Sequence, residues 1–288
     1  MCGSVPLPPR ITKTSMYMAT VAMTILLQSP VCFAGNSEQA NALCQRAIIE
    51  SDKLATQDIA VKHINQALSM EPKRADFWHA KAIVLERLEE SEQALPCVNK
   101  ALELNSKIGP YWITKADILC SLKKYDEALI SVDKGLKLAD AHAYHLTKAE
   151  ILRHLRRFDL AEKELDTLVA KRPNDDIVRA RRADIARMNK HWQKVIEDTS
   201  AVIKLHVLSF SHWSLLERRA EAYVQTKQYD KAIADYKEGI KHVPDARQMH
   251  DELLKVYTIT GNSKGVAAER RAIESIDKDL LFERTNPR

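Results

Sequence analysis

Apolar residues recur along this chain at helical spacing, in segments of about three turns, and the segments come in pairs. Before "KYDEAL" (Lys124–Leu129) stands "YWITKADILCSL", and before "QYDKAI" (Gln228–Ile233) stands "LLERRAEAYVQT". Each is an amphipathic stretch followed by a short polar turn and a second amphipathic stretch. The stretches Lys124–Leu136 and Gln228–Ile240 share a Tyr, an Asp, an Ala, an aliphatic pair and a late Gly in the same order. Such self-similarity marks a repeat architecture. Units begin near Asn41, Ala75, Gly109, His142, Asp176, Trp213 and Arg247, at steps of 34, 34, 33, 34, 37 and 34 residues, so the excess residues fall in loops.

The residues within each unit follow one rule. Trp78, Ala82, Leu85, Ala94, Val98 and Ala101 carry it in the second unit, and Trp112, Ala116, Leu119, Tyr125, Ala128, Val132 and Gly135 in the third. Ala149, Leu152, Phe158, Ala161, Leu165 and Pro173 carry it in the fourth, and Leu216, Ala220, Tyr223, Tyr229, Ala232, Tyr236, Gly239 and Pro244 in the sixth. Units one, five and seven keep it more loosely, the fifth with Val195 where a small residue belongs. This pattern resembles the tetratricopeptide repeat, a 34-residue helix–turn–helix unit. The resemblance implies an all-α, right-handed α-solenoid of about seven helix–turn–helix repeats over residues 35–276, with 277–288 as a C-terminal capping helix or tail. The alanines are small because the paired helices cross closely there, and each unit covers the open face of its neighbour. Pro72, Pro173 and Pro244 stop second helices. The long loop at Lys204–Trp213, with Val207, Leu208 and Phe210, is expected to fold back on its own repeat.

Composition adds little against this picture, except at the N-terminus. Only 7 of 288 residues are Gly, which leaves few places for phosphate-cradling loops, and the net charge of +5 does not call for nucleic acid. Arg10 and Lys13 precede the apolar run Met16–Leu27, Pro30 and the small residues of "VCFAGN", with no charge from Thr14 to Ser37. That order predicts a signal peptide over 1–34, cut after Ala34, and hence a periplasmic or extracellular protein. An uncleaved membrane anchor is the alternative. Cleavage leaves Cys44, Cys97 and Cys120, none in a CxxC spacing, and no structural disulfide is expected.

No catalytic or phosphate-binding motif is present in the sequence, and no enzyme activity or cofactor is expected. His142 and His145 could hold a metal at helical spacing only with further ligands that the sequence does not supply, so no metal site is expected. In tetratricopeptide proteins the first helices line a groove for a peptide or helix, which implies a non-catalytic exported adaptor that binds a protein or peptide segment. The first-helix positions left over from the core are His79, Asp117, Glu150, Arg153, Arg181, Asp184, Arg187, Arg218 and Glu221. Two readings of the arginines stand open: a ladder that pairs with carboxylates of an acidic partner, or cations already neutralised by interleaved acids. The carboxylate clamp of co-chaperone members is not matched. Arg181 and Arg218 hold the arginine position, but Thr114 and Thr147 replace Asn, and Ile177 and Ser214 replace Lys. The basic run Arg153–Lys190 fits an acidic protein or a membrane surface better than nucleic acid. A self-assembling, homo-oligomeric envelope protein and a non-catalytic subunit of an envelope enzyme are the alternative functions.

Overall fold

The computed structural model describes residues 36–205, 213–243 and 246–285. Residues 1–34, where a signal peptide is expected, and the residues Val207, Leu208, Phe210 and Pro244 lie outside them, as do the side chains of Leu280, Leu281 and Phe282. The described residues are helical throughout, in consecutive pairs: α1 (Asn36–Ser51) with α2 (Gln57–Met70), α3 (Ala75–Arg87) with α4 (Ser91–Leu104), and α5 (Gly109–Ser121) with α6 (Tyr125–Leu138). There follow α7 (His142–His154) and α8 (Phe158–Lys171), α9 (Asp176–Met188) and α10 (Trp192–Leu205), α11 (Trp213–Gln225) and α12 (Tyr229–His242), and α13 (Arg247–Ile259) and α14 (Ser263–Thr285). Six first helices begin at the residues that the periodicity marks. The exception is α1, which starts at Asn36 rather than Asn41, because Ser37 and Ala40 extend the buried stripe of Cys44, Ala47 and Ile48. The helix α14 crosses from the last repeat into the tail without a break.

Two compact units divide the chain, one ending at Leu155 with α1–α7 and one beginning at Arg156 with α8–α14. In the first, the alanines at the expected crossings are sealed: Ala82, Ala94, Ala116 and Ala128 are all fully buried. Val98 and Ile118 pack around the first two and Val132 and Ile151 around the second two, while Phe77 and Val84 pack with Ala47 and Ala60 of the first repeat. In the second unit, Ala186 packs with the buried Val195 and Ile196, and Ala220 and Ala232 sit under Tyr236, Met249 and Leu253. The late glycines of the motif admit a neighbouring first helix. A methyl at Gly135 would lie 2.8 Å from Ile113 Cδ1, and one at Gly239 would lie 2.8 Å from Met249 Sδ.

The turn within a pair is closed by backbone geometry at one position of the repeat. Glu89, Lys123, Arg156, Lys190, Lys227 and Gly261 all adopt left-handed conformations, with φ between 57° and 70°. Behind them Glu90, Lys124, His191, Gln228 and Asn262 donate their N–H groups to carbonyls five residues back, at 2.8–2.9 Å. This Schellman closure satisfies the orphan carbonyls of the first helix, and only the last repeat uses the glycine that suits it. A second recurring device fixes the start of three first helices. The indole N–H of Trp78 donates to the Pro72 carbonyl, and that of Trp112 to the Ser106 carbonyl, both at 2.8 Å. In the fifth repeat Arg179 takes the same place and reaches the Pro173 carbonyl.

The second unit also holds two buried ion pairs at one register. Asp198 is fully buried and accepts from Arg182 Nε and Nη2 and from Arg179 Nη1, all at 2.7 Å. Asp235 accepts from Arg219 Nε and Nη2, again at 2.7 Å. Both tie a first helix to the second helix of its own repeat.

Candidate functional site

Within the first compact unit, α1 packs on α3, α3 on α5 and α5 on α7, so the first helices form a continuous layer. Hydrogen bonds stitch it. Arg87 of α3 donates to the Ile48 carbonyl and to Ser51 Oγ of α1, at 2.7 and 2.8 Å. Ser121 of α5 donates to Glu86 Oε1 of α3. In the second unit, α9 and α11 are joined by Arg218–Asp184 at 2.8 Å and Arg187–Glu221 at 3.5 Å.

The arginines therefore do not form an open cationic ladder. Arg153 sits on Glu150 three residues before it, with Nε 3.0 Å from Oε2 and Nη2 2.5 Å from Oε1. Arg187 and Arg218 are held by the two acids just named, and Arg181 is not free either. Of the two readings of the arginines, the interleaved acids are the one realised. Asp184, Glu150 and Glu221 thus serve as counter-ions, on partly exposed side chains.

His79 is not presented to a partner. It is buried, its Nε2 lies 2.8 Å from Thr114 Oγ1, and its ring packs 4.5 Å from that of Tyr111. Burial pushes its pKa down to about 4, so the ring is neutral near neutral pH. It is a core histidine that couples α3 to α5.

Asp117 stands apart from the other acids. It is the ninth residue of α5, as Glu150, Asp184 and Glu221 are the ninth of α7, α9 and α11. Unlike them, it has no ion pair. Burial and then the charge of Glu86 raise its pKa to about 8, although its side chain keeps some contact with solvent. Beside it, Glu86 Oε2 is buried with no hydrogen-bond partner. The thiol of Cys120, pushed up to about 12 by burial and by Asp117, Glu150 and Glu86, completes the cluster and is unreactive as a nucleophile. Glu86 escaped the sequence reading; its signal was an acid at the twelfth residue of α3, where α7 and α9 carry Arg153 and Arg187.

His145 Nε2 contacts Asp140 at 2.6 Å. Among the described residues no group of three or more His, Cys, Asp or Glu side chains is placed to hold a metal, and no helix is long and apolar enough to cross a membrane. Cys44, Cys97 and Cys120 are free thiols.

Two segments, 75–108 and 214–241, match the family model described as tetratricopeptide repeat. This chain carries tetratricopeptide repeats. Its fold is that of solved tetratricopeptide proteins. YrrB, "a TPR protein with an unusual peptide-binding site", aligns at 20% identity over 65% of this chain and 95% of its own, with a TM-score of 0.56. PilF of Pseudomonas aeruginosa aligns at 17% identity over 73% and 95%, with a TM-score of 0.60. The C-terminal part of a repeat protein from Cytophaga hutchinsonii aligns at 15% identity over 84% and 95%, with a TM-score of 0.67. At these identities the likeness is one of fold. No curated protein matches the chain in a sequence comparison. The tetratricopeptide array makes the protein an interaction scaffold, and its layer of first helices is the candidate partner-binding face.

Proposed function

We propose that this tetratricopeptide protein is an exported, non-catalytic adaptor that receives a segment of another protein on its first helices. The observation that carries this reading is the continuous layer α1–α3–α5–α7, whose arginines Arg87 and Arg153 are engaged within it rather than gathered around a reactive group. YrrB, which shares the fold, is described by its peptide-binding site, and that supports the same use of this face. Mutual pairing of the arginines leaves little net positive charge there, which weakens the case for an acidic partner. Export rests on the basic, apolar and small-residue order of residues 1–34.

The test is affinity capture from a native cell extract with three baits of matched thermal stability. One is the wild type, and one carries Glu150→Gln with Arg153→Gln, which removes a first-helix pair without leaving an unpaired charge. The third carries Lys100→Gln with Glu103→Gln, an exposed pair on the second helix α4. A partner retained by the wild type and the α4 variant but lost by the first-helix variant supports the reading. Equal capture by all three refutes it.

A further inference from the structure

Six lysines of the first compact unit lie at one edge of it, where second helices end and the next first helices begin. Lys73 and Lys107 stand in the loops ahead of α3 and α5, Lys134 and Lys137 in the last turns of α6, and Lys81 and Lys115 at the seventh position of α3 and α5. The indoles of Trp78 and Trp112 hold three of them at that edge. Each indole is bonded to a loop carbonyl; Lys81 Nζ lies 5.7 Å from the Trp78 ring centroid, and Lys115 and Lys134 lie 5.8 and 4.4 Å from that of Trp112. Beside the rings, the last residues of α4 and α6, Leu104 and Leu138, are 38% and 45% exposed.

None of the six ammonium groups has an ion pair among the described residues. The acids nearest in sequence are taken: Glu71 and Asp76 by Arg74, Glu103 by Lys100, Asp133 by Lys148 and Asp140 by His145. Elsewhere the array neutralises the same register. The seventh position of α7, α9 and α11 carries Lys148, Arg182 and Arg219, bonded to Asp133, Asp198 and Asp235. The counterpart of Lys134 in α4 is Lys100, which Glu103 holds from three residues on; in α6 the residue three on is Lys137. Positive charge therefore accumulates at this edge. Burial, and then the charge of Lys134, pull the Lys115 pKa down against the weaker opposing effect of Glu127. The basic run Arg153–Lys190, by contrast, is paired at Arg153, Arg179, Arg182 and Arg187.

We propose that this edge docks on an anionic lipid surface, with the lysines at the headgroups and Leu104, Leu138 and the two indoles at the boundary with the acyl chains. Ammonium groups on long apolar stems suit a diffuse negative surface. An acidic protein segment is gripped best by the planar fork of arginine, and the arginine of this edge, Arg74, is already taken by Glu71 and Asp76. The exposed leucines and the indoles are the second half of the match, since a bilayer offers an apolar layer directly beneath its charge. Positions four and seven of the first helices face the second helices, as the contact of Lys134 with Trp112 shows, so docking here leaves the first-helix layer open to a partner.

The experiment is sedimentation of the whole mature chain with vesicles of phosphatidylcholine, alone or mixed with an equal part of phosphatidylglycerol, in about 0.1 M salt. Binding to the mixed vesicles and not to the neutral ones is expected, weakening as salt is raised. Lys134→Gln with Lys137→Gln should lower the partition coefficient about 25-fold, at about fivefold per lysine. Leu104→Ser with Leu138→Ser should lower it too, although the charge is unchanged. Lys227→Gln with Lys264→Gln, two exposed lysines of the second unit without an ion pair among the described residues, should leave it as it was. Thermal melts matched to the wild type establish that each variant is folded. No binding at millimolar anionic lipid, equal losses from the two lysine pairs, or full retention by the Lys134→Gln, Lys137→Gln variant would each overturn the proposal. So would capture of soluble polyglutamate by this edge without vesicle binding, which would assign it to an acidic protein. Vesicle binding should survive in the Glu150→Gln, Arg153→Gln bait; its loss there would place the contact on the first helices and overturn the proposal as well.

Discussion

Asp117 is a carboxyl that burial and the charge of Glu86 hold in its neutral form, and replacing it with Asn should stabilise the protein. The sign follows from the carboxyl's pKa, raised from 3.8 to about 8 by burial and by Glu86. Below pH 4 the group is protonated whether the chain is folded or not, and it has no effect. As pH climbs towards 8 the unfolded chain releases the proton while the folded one retains it, so stability is lost across that window. Carried in full, the displacement corresponds to roughly 5–6 kcal/mol at pH 8. The side chain keeps contact with solvent, and protein sites respond with an effective dielectric constant near 20, which brings the expected effect to ~1–3 kcal/mol. The amide has no proton to lose and keeps the neutral form at every pH. Urea unfolding of both proteins at pH 3, 4.5, 6 and 8 should therefore show the smallest difference at pH 3 and a gap that opens above pH 3.8 in favour of Asp117→Asn. His79, whose cost appears on the acid side, is common to both proteins and cancels. A variant less stable than the wild type at pH 8, or a gap that does not change with pH, would refute the reasoning.

The other predictions concern the scaffold. His79→Gln should flatten the wild type's loss of stability between pH 6.5 and 4.5; the depressed imidazole pKa makes stability present above about 6.5 and lost towards 4, by ~1–3 kcal/mol. Asp198→Ala leaves Arg182 buried without its bidentate partner and should cost about 3–5 kcal/mol in urea unfolding. Lys123→Gly should stabilise by ~0.5–1 kcal/mol, because a side chain at φ 59° is strained where glycine is not, and Lys123→Val should destabilise. Intact-mass measurement of the protein from its native cell should give a chain that begins at Gly35; a full-length mass would favour the uncleaved anchor.

The repeat was legible because its determinants are local. Ala82, Ala94, Ala116 and Ala128 lie four or more helical positions from turns that the same short window reveals, so six first-helix starts could be read from periodicity. The left-handed turn residues were not legible, since Glu89, Lys123, Lys190 and Lys227 give no glycine signal; the Schellman bonds that hold them depend on how each first helix ends. His79 looked like a surface position on α3 because its polarity masked its burial; Thr114, a repeat away, supplies the hydrogen bond that makes a buried imidazole tolerable. The pairing of arginines was beyond the sequence for a similar reason. Arg153 pairs within its own helix, whereas Arg187 and Arg218 pair across to the neighbouring one, and the choice is a matter of rotamers and spacing between helices.

The charges of this scaffold serve two separate purposes, and register distinguishes them. Arg182 with Asp198, and Arg219 with Asp235, join the two helices of one repeat and are shielded from solvent; they hold geometry and offer nothing to a partner. The ninth-position acids lie on partly exposed first-helix surface, where each guanidinium removes one acid from the set available for recognition. In the second unit α9 and α11 present the pairs Arg218–Asp184 and Arg187–Glu221, while in the first unit α7 presents Glu150 with Arg153 and α5 presents Asp117 without an ion pair. Selectivity on such a face comes from the groups left incompletely satisfied, Glu86 Oε2 in the first unit and Arg187 Nε in the second, because a wrong residue there leaves a buried polar atom unmet while a wrong residue elsewhere costs little. Converting Cys120 to Arg should extend the pattern of neutral pairs by one repeat and lower the pKa of Asp117, which a carboxyl-carbon titration would read.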